Sequence, residues 1–188
     1  VEPGMNVGLG TGSTASLVVE QLGERAAREN LSFRAVATSR ATAELAARLG
    51  LPLIDLNDTA RLDLAIDGAD EVDPLFRLIK GRGGALLREK IVAAAARRRV
   101  IVITPEKCVE RLGSLHPVPV EISDFGRTQT ELRLRDHGAS TSLRHTSQGD
   151  PFTTDEGHRI LDCRFPAIDD PEALDHRLNA IVGVFETG

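Results

Sequence analysis

Short apolar runs alternate with stretches of helical spacing through the first 113 residues. "MNVGL" (5–9) predicts a strand. Ser13 to Glu29 predicts a helix, with apolar spacing at Leu17, Val18 and Leu22. "FRAVAT" (33–38) is the next strand. Ser39 is placed to cap a helix that stops at Gly50, a residue suited to the left-handed position after a helix end. "LPLIDL", "LDLAID" and "LFRLI" (75–79) read as further short strands, Gly84 to Arg98 as an Ala- and Leu-rich helix, and "RVIVIT" (99–104) as the strand that closes the series. Strand–helix alternation of this kind predicts a parallel sheet covered by helices on both faces.

The pattern changes near Pro117. "PVPVEI" predicts a strand, "DFGRTQTELRLRDHG" a capped amphipathic helix, "ASTSLRH" a strand, and "HRILDC" another after turns at "SQGD" and "TTDEG". Asp170 before Pro171 marks the start of a short helix, and "VGVFE" is the last strand. Strand, helix, strand, strand, helix, strand is the order of a ferredoxin-like split βαβ unit. The fold class expected is therefore α/β: a Rossmann-like parallel-sheet domain over 1–116, followed by a second, smaller α+β domain over 117–187.

Composition narrows the function. The 188 residues are 41% hydrophobic and 27% charged, with a net charge of -5, which is ordinary for a folded globular chain. Arginines are scattered, and with no Trp, no Tyr and six Phe there is no aromatic platform for stacking bases, so nucleic acid is not an expected partner. No apolar run reaches the ~18 residues of a membrane span. No signal-peptide pattern follows Val1, and the expected location is cytoplasmic. Cys108 and Cys163 stand far apart and outside any CxxC spacing, and the five histidines show no HxH or HExxH, so buried free thiols and no metal site are expected.

Two segments carry candidate chemistry. In "VGLGTGSTA" (7–15) the glycines fail the GxGxxG spacing, because Ser13 occupies the sixth place from Gly8, and no lysine follows Gly12 as a Walker loop requires. What remains is Gly10, Thr11, Gly12, Ser13 and Thr14 at a helix start. It suits a monophosphate cradle, or equally a tight strand-to-helix turn with a hydroxyl cap. The second segment is "AIDGADEVDPLFRLIKGRGGALLREK" (65–90). Asp67, Asp70, Glu71 and Asp73 crowd the end of a predicted parallel strand, where open α/β sheets bind ligands. A capping role for these carboxylates is the alternative; calcium-loop spacing is absent. Lys80 leads into the amide-rich turn "GRGG", which opens the helix carrying Glu89. Carboxylates, a lysine, exposed amides and a helical glutamate beside a phosphate cradle suit proton transfer on a small phosphorylated sugar. Such chemistry needs a partly buried carboxylate base and donors aimed at enediolate oxygens. Lys107 in "ITPEKCVERLG" follows the next strand end and is a candidate phosphate contact, or an exposed turn lysine.

These residues give the chain its resemblance to type A ribose-5-phosphate isomerases. "VGLGTGSTA", "AIDGADEVD", "LIKGRGGALLREKIVA", "VIVITPEKCVERLG", "PVPVEI" and "ILDCRFPAIDDPEAL…IVGVFETG" follow one another in family order across essentially the whole chain. The resemblance implies interconversion of D-ribose 5-phosphate and D-ribulose 5-phosphate through an enediol, in the non-oxidative pentose phosphate pathway, with no cofactor and as a homodimer or homotetramer. It assigns substrate binding to Thr11, Gly12, Ser13 and Thr14, to Asp67, Gly68, Ala69 and Asp70, to Lys80, Gly81, Arg82 and Gly83, and to Lys107. Glu89 is the implied general base, with Asp67 and Lys80 as its catalytic companions. Glu71 and Asp73 are left to shape the turn. Arg82 stands where the family commonly has glycine, and there the backbone amide is the group that matters. The family also implies a helix with a phosphate-directed lysine before this chain's first strand, and a further strand after its last. A non-catalytic sugar-phosphate sensor on the same scaffold is the alternative function. The retained Glu89, Lys80 and Asp67 weigh against it.

Overall fold

The computed structural model describes residues 1–188. In chain order its first elements are β1 (Asn6–Leu9), α1 (Ser13–Glu29), β2 (Arg34–Ala37), α2 (Arg40–Arg48), β3 (Leu62–Asp67), β4 (Glu71–Val72) and β5 (Leu78–Ile79). Then follow α3 (Leu86–Ala95), β6 (Ala96–Ile101), β7 (Val118–Ile122), α4 (Arg127–Asp136), β8 (Ser140–Leu143), β9 (Arg159–Arg164), α5 (Pro171–Asn179) and β10 (Val184–Thr187). By backbone contacts the chain divides into two compact units, Val1–Gly68 with Arg88–Ile103, and Ala69–Leu87 with Thr104–Gly188. This division interleaves along the chain, whereas the sequence pattern suggested a single cut after 116. No helix is long and apolar enough to cross a membrane.

The first unit is the Rossmann-like part: a parallel four-stranded sheet in the order β2-β1-β3-β6. Period-2 alternation sends Val7, Leu9 and Ala35 to one face, where they pack with Val19 and Leu22 of α1 and Ala46 of α2. On another core, Val36, Leu62 and Ala65 meet Val92 of α3. Both helix starts and stops follow local chemistry. The Ser39 side chain accepts the Thr42 N–H at the start of α2, and Asn30 ends α1 in the left-handed region at φ 49°.

Three expected elements differ. "LPLIDL" forms only an isolated bridge between Ala35 and Leu53, followed by a 3₁₀ turn at Leu56–Asp58; Pro52 lacks the N–H a longer ladder would need. The helix predicted to run to Arg98 ends at Ala95, because Ala96 and Arg98 are captured as ladder partners of Leu62 and Leu64. Of "LFRLI" only Leu78 and Ile79 are in a strand, and it is antiparallel to Glu71 and Val72.

The second unit holds the antiparallel sheet β10-β7-β9-β8. Numbered within the unit's own βαββαβ run, that order is 4-1-3-2, the ferredoxin-like arrangement expected from the element order. Val118, Val120 and Ile122 of β7 join Leu161 and Cys163 of β9, Leu134 of α4 and Leu174 and Leu178 of α5 in its core. Each such fully buried aliphatic side chain contributes ~1.5–3 kcal/mol. The antiparallel pair β4–β5 belongs to the same unit.

Candidate active site

In the first unit, Thr11 to Thr14 follow the carboxyl end of β1, and Asp67 and Gly68 lie at that of β3. The Gly10 N–H donates to the Ile66 carbonyl at 2.8 Å, which carries β1 past its last ladder pair. A Cβ on Gly10 would lie 2.0 Å from Asp67 Oδ1 and 2.7 Å from its Cα, so only glycine lets the two strand ends approach this closely. Asp67 is 8% exposed. Its carboxylate accepts the Gly68 N–H at 2.7 Å, and its carbonyl accepts the Val102 N–H at 2.8 Å. Asp67 thus sits at the end of a central parallel strand, between β1 and β6.

The turn Gly10-Thr11-Gly12 then enters α1. Gly12 occupies the cap position at φ 109° with no side-chain hydrogen bond closing the helix start, so the first-turn amides near Ser13 and Thr14 carry the helix's positive end. The Thr11 hydroxyl is used internally. It donates to Ser39 Oγ at 2.8 Å and lies 2.7 Å from Thr38 Oγ1 and 3.0 Å from Thr42 Oγ1. Thr38 and Thr42 in turn donate to the carbonyls of Leu9 and Gly10. Four hydroxyls therefore lock the glycine turn to the end of β2 and the start of α2, and Thr11 has its backbone left to offer a ligand. Glu89, in the first turns of α3, is 4% exposed.

In the second unit, β4 organises the remaining candidates. The Asp70 N–H donates to the Ile79 carbonyl at 2.8 Å, and the register Glu71↔Ile79 sets Asp70 opposite Lys80. The Asp70 carboxylate accepts the Arg82 backbone N–H at 3.0 Å. Residues 81–84 form a turn closed by Gly84 N–H to the Gly81 carbonyl at 3.0 Å. Gly84 holds φ 84°, and a Cβ there would meet the Phe152 ring at 2.4 Å. On the other side of β4, Val72 bridges Cys108 and its carbonyl accepts the Val109 N–H at 2.9 Å. Lys107 thus reaches the same end of β4 by backbone register.

The acidic cluster divides by role. Glu71 is wholly buried, and its two oxygens accept the N–H groups of Gly113 (2.7 Å), Leu115 (2.8 Å) and His116 (2.6 Å). Asp73 accepts the N–H groups of Leu75 and Arg77 and the Arg77 Nε at 2.6 Å. Burial pushes the Asp73 carboxyl up, but the Arg77 guanidinium and the two amides outweigh it and hold its pKa below the ordinary value. Asp73 shapes its own turn, whereas Glu71, expected to do the same, instead holds the distant 113–116 segment; Asp67 and Asp70 stand at strand ends. No group of three or more His, Cys, Asp or Glu side chains is arranged to hold a metal ion.

One contact had no signal in the sequence. Arg144, directly after β8, donates from Nη1 to the carbonyls of Gly81 (2.8 Å) and Arg82 (3.1 Å) and pairs through Nε and Nη2 with Asp162 of β9. Gly81 and Arg82 lie more than sixty residues from Arg144 in the chain, beyond any local pattern.

Comparison with known proteins places the whole chain. Residues 34–188 match the family model for ribose 5-phosphate isomerase A (phosphoriboisomerase A). The chain is 52% identical, over 189 aligned positions, to ribose-5-phosphate isomerase A of Roseiflexus sp. (strain RS-1), which covers 100% of this chain and 81% of that protein. Among solved structures, ribose 5-phosphate isomerase A of Methanocaldococcus jannaschii superposes with a TM-score of 0.96 at 37% identity, over 100% of this chain and 84% of that one. A D-ribose-5-phosphate isomerase in complex with phospho-erythronic acid also gives 0.96, at 38% identity over 100% and 83%. This chain belongs to the ribose 5-phosphate isomerase A family.

Proposed function

We propose that the protein interconverts D-ribose 5-phosphate and D-ribulose 5-phosphate through an enediol, with Glu89 moving the proton. The observation that carries this reading is a glutamate only 4% exposed, five residues after the amide-rich turn 81–84, in a chain of this family. Desolvating a carboxylate is costly, so its burial here supports, in a chain of this family, a working rather than a solvated role.

In this reading the Glu89 carboxylate removes the proton from C2 of the open-chain aldose, and O1 is protonated as the enediol forms. The same carboxylate returns the proton to C1 while O2 loses its own, giving the ketose. Lys80 and the amides of Gly81 and Gly83 stabilise the enediolate oxygens, while the Arg82 amide donates to the Asp70 carboxylate and holds it in place. Asp67 and Asp70, with Gly68 and Ala69, hold sugar hydroxyls and assist ring opening. The turn Thr11–Thr14 and Lys107 take the phosphate. Amides at a helix start favour that charge. For Thr11 the hydroxyl network leaves this to the backbone. No cofactor is required.

The reading includes a domain division at 116/117. All residues with assigned roles fall before it, and the antiparallel four-stranded sheet is built only from residues after it. It also includes a cytoplasmic location, which the two free thiols fit, and assembly as a homodimer or homotetramer. The test is ribulose 5-phosphate formation from ribose 5-phosphate with chelator present, comparing the parent with Glu89→Gln. The variant is expected to lose ~10²-fold or more in kcat. An equally fast variant removes Glu89 from its role, and an inactive parent removes the isomerase reading.

A further inference from the structure

The Arg144 contact, which the reaction scheme leaves unused, has a direct geometric consequence. In a trans peptide the C=O and N–H point in opposite directions. The Gly81 carbonyl shares its peptide plane with the Arg82 N–H, and the Arg82 carbonyl shares its plane with the Gly83 N–H. Arg144 Nη1 carries two hydrogens and reaches both carbonyls, at 2.8 and 3.1 Å. Holding the carbonyls on one side therefore fixes where the amides of Arg82 and Gly83 point on the other. The first plane shows the result: its carbonyl faces Arg144 while its N–H meets the Asp70 carboxylate at 3.0 Å.

The guanidinium is itself held. Asp162 accepts from Nε at 3.0 Å and from Nη2, so the fork is clamped at its back while Nη1 works at its front. The backbone behind it is pinned as well: the Arg144 N–H donates to the Ile160 carbonyl at 2.9 Å, and the Arg144 carbonyl accepts the Phe152 N–H at 2.8 Å. Arg82 and Gly83 are exposed in a glycine-rich turn, which alone has many accessible conformations. A cation on the two carbonyls also polarises the peptides and strengthens their N–H groups as donors.

Resting on the isomerase reading above, we propose that Arg144, backed by Asp162, is a positioning residue that keeps the Arg82 amide on the Asp70 carboxylate and presents the Gly83 amide to the enediolate. Lysine cannot substitute, because an ammonium point charge cannot span two carbonyls and a carboxylate at once.

The test uses Arg144→Ala and Arg144→Lys, the second keeping the charge should the first fail to fold. Amide hydrogen exchange of residues 81–84 is read first, since it needs no turnover. Faster exchange there than in the parent, with the rest of the chain unchanged, is expected. Kinetics follow. Losing one well-aimed oxyanion donor costs ~10²–10³-fold in kcat, and misaligned donors should lose part of that, about 10–100-fold. KM for ribose 5-phosphate should stay within about threefold, because the ground-state sugar does not carry the developing charge. Affinity for phospho-erythronate, whose carboxylate imitates the enediolate, should fall with kcat, and guanidinium ion at sub-denaturing concentration should partly restore Arg144→Ala. Unchanged exchange at 81–84 overturns the proposal. So does a loss confined to KM, or a fall in kcat with analogue affinity intact. An inactive parent overturns the isomerase reading alone, and the exchange measurement then still decides whether Arg144 fixes the turn.

Discussion

Replacing Glu71 by glutamine tests what half of the acidic cluster is for. The side chain is fully buried, and its two oxygens are the acceptors for three backbone N–H groups of residues 113–116. Glutamine preserves the shape but not the acceptor set. If its carbonyl keeps Leu115 and His116, its NH₂ faces the Gly113 N–H across the 2.7 Å now spanned by Oε2. One buried donor is then orphaned, at ~1–3 kcal/mol, and the two remaining bonds lose their charge assistance, at about half a kcal/mol or more each. The sum is ~2–4 kcal/mol. At 2–4 °C per kcal/mol for a chain of this size, the melting temperature should drop by about 5–15 °C. Urea unfolding followed by far-UV circular dichroism measures the same loss as a lower midpoint with the slope preserved. Glu71→Asp, one methylene shorter, cannot reach all three amides and should fall at least as far. A Glu71→Gln midpoint within ~0.5 kcal/mol of the parent would mean that the 113–116 segment does not depend on this carboxylate.

Asp73 should show its ion pair in the acid limb. Its pKa is lowered from 3.8 in the folded state, so its stabilising contribution is present above 3.8 and lost as the pH falls through the lowered value; the stability gap between the parent and Asp73→Asn should close on acidification below about pH 4, and a pH-independent gap would refute this. Gly10→Ala should misplace Asp67, since the new Cβ would lie 2.7 Å from a backbone atom that no rotamer change can move; a loss of ~1–3 kcal/mol is expected together with lost turnover, and an unperturbed variant would contradict the close approach. Cys163 is buried and its thiol is pushed up to about 12, chiefly by burial, while Cys108 is exposed; a thiol reagent should find one fast equivalent per native chain and two after denaturation.

What the sequence made legible was what is local. A capping serine, a glycine after a helix, alternation along a strand and a glycine turn before a helix are settled by neighbours a few residues away. α1, α2 and the βαββαβ run therefore appeared close to their observed bounds. The misses lie where distant partners decide. "AAAARRR" (93–99) carries no period that separates helix from strand, and alanine favours helix. Pairing with β3 nevertheless takes the chain out of the helix at Ala96. The hairpin after Asp73 was hidden in an apolar run, because its short ladder is set by the opposing Glu71 and Val72 rather than by alternation. The same distinction runs through the candidate site. Apart from Lys107, the side chains and turns proposed for chemistry are written in two contiguous stretches, 10–14 and 67–89, whose residue types alone suggest sugar-phosphate work. The groups that aim them are not. Thr38 and Thr42 hold the first turn from outside its own stretch, and Arg144 holds the second from the far sheet of its unit. A chemist reading residues in order finds the proposed donors and the proposed base, but orientation comes from partners that only the fold supplies. Mutations at those supporting positions should then cost kcat before they cost KM, because a misaimed amide still lies beside a bound sugar and fails only when charge develops on its oxygen.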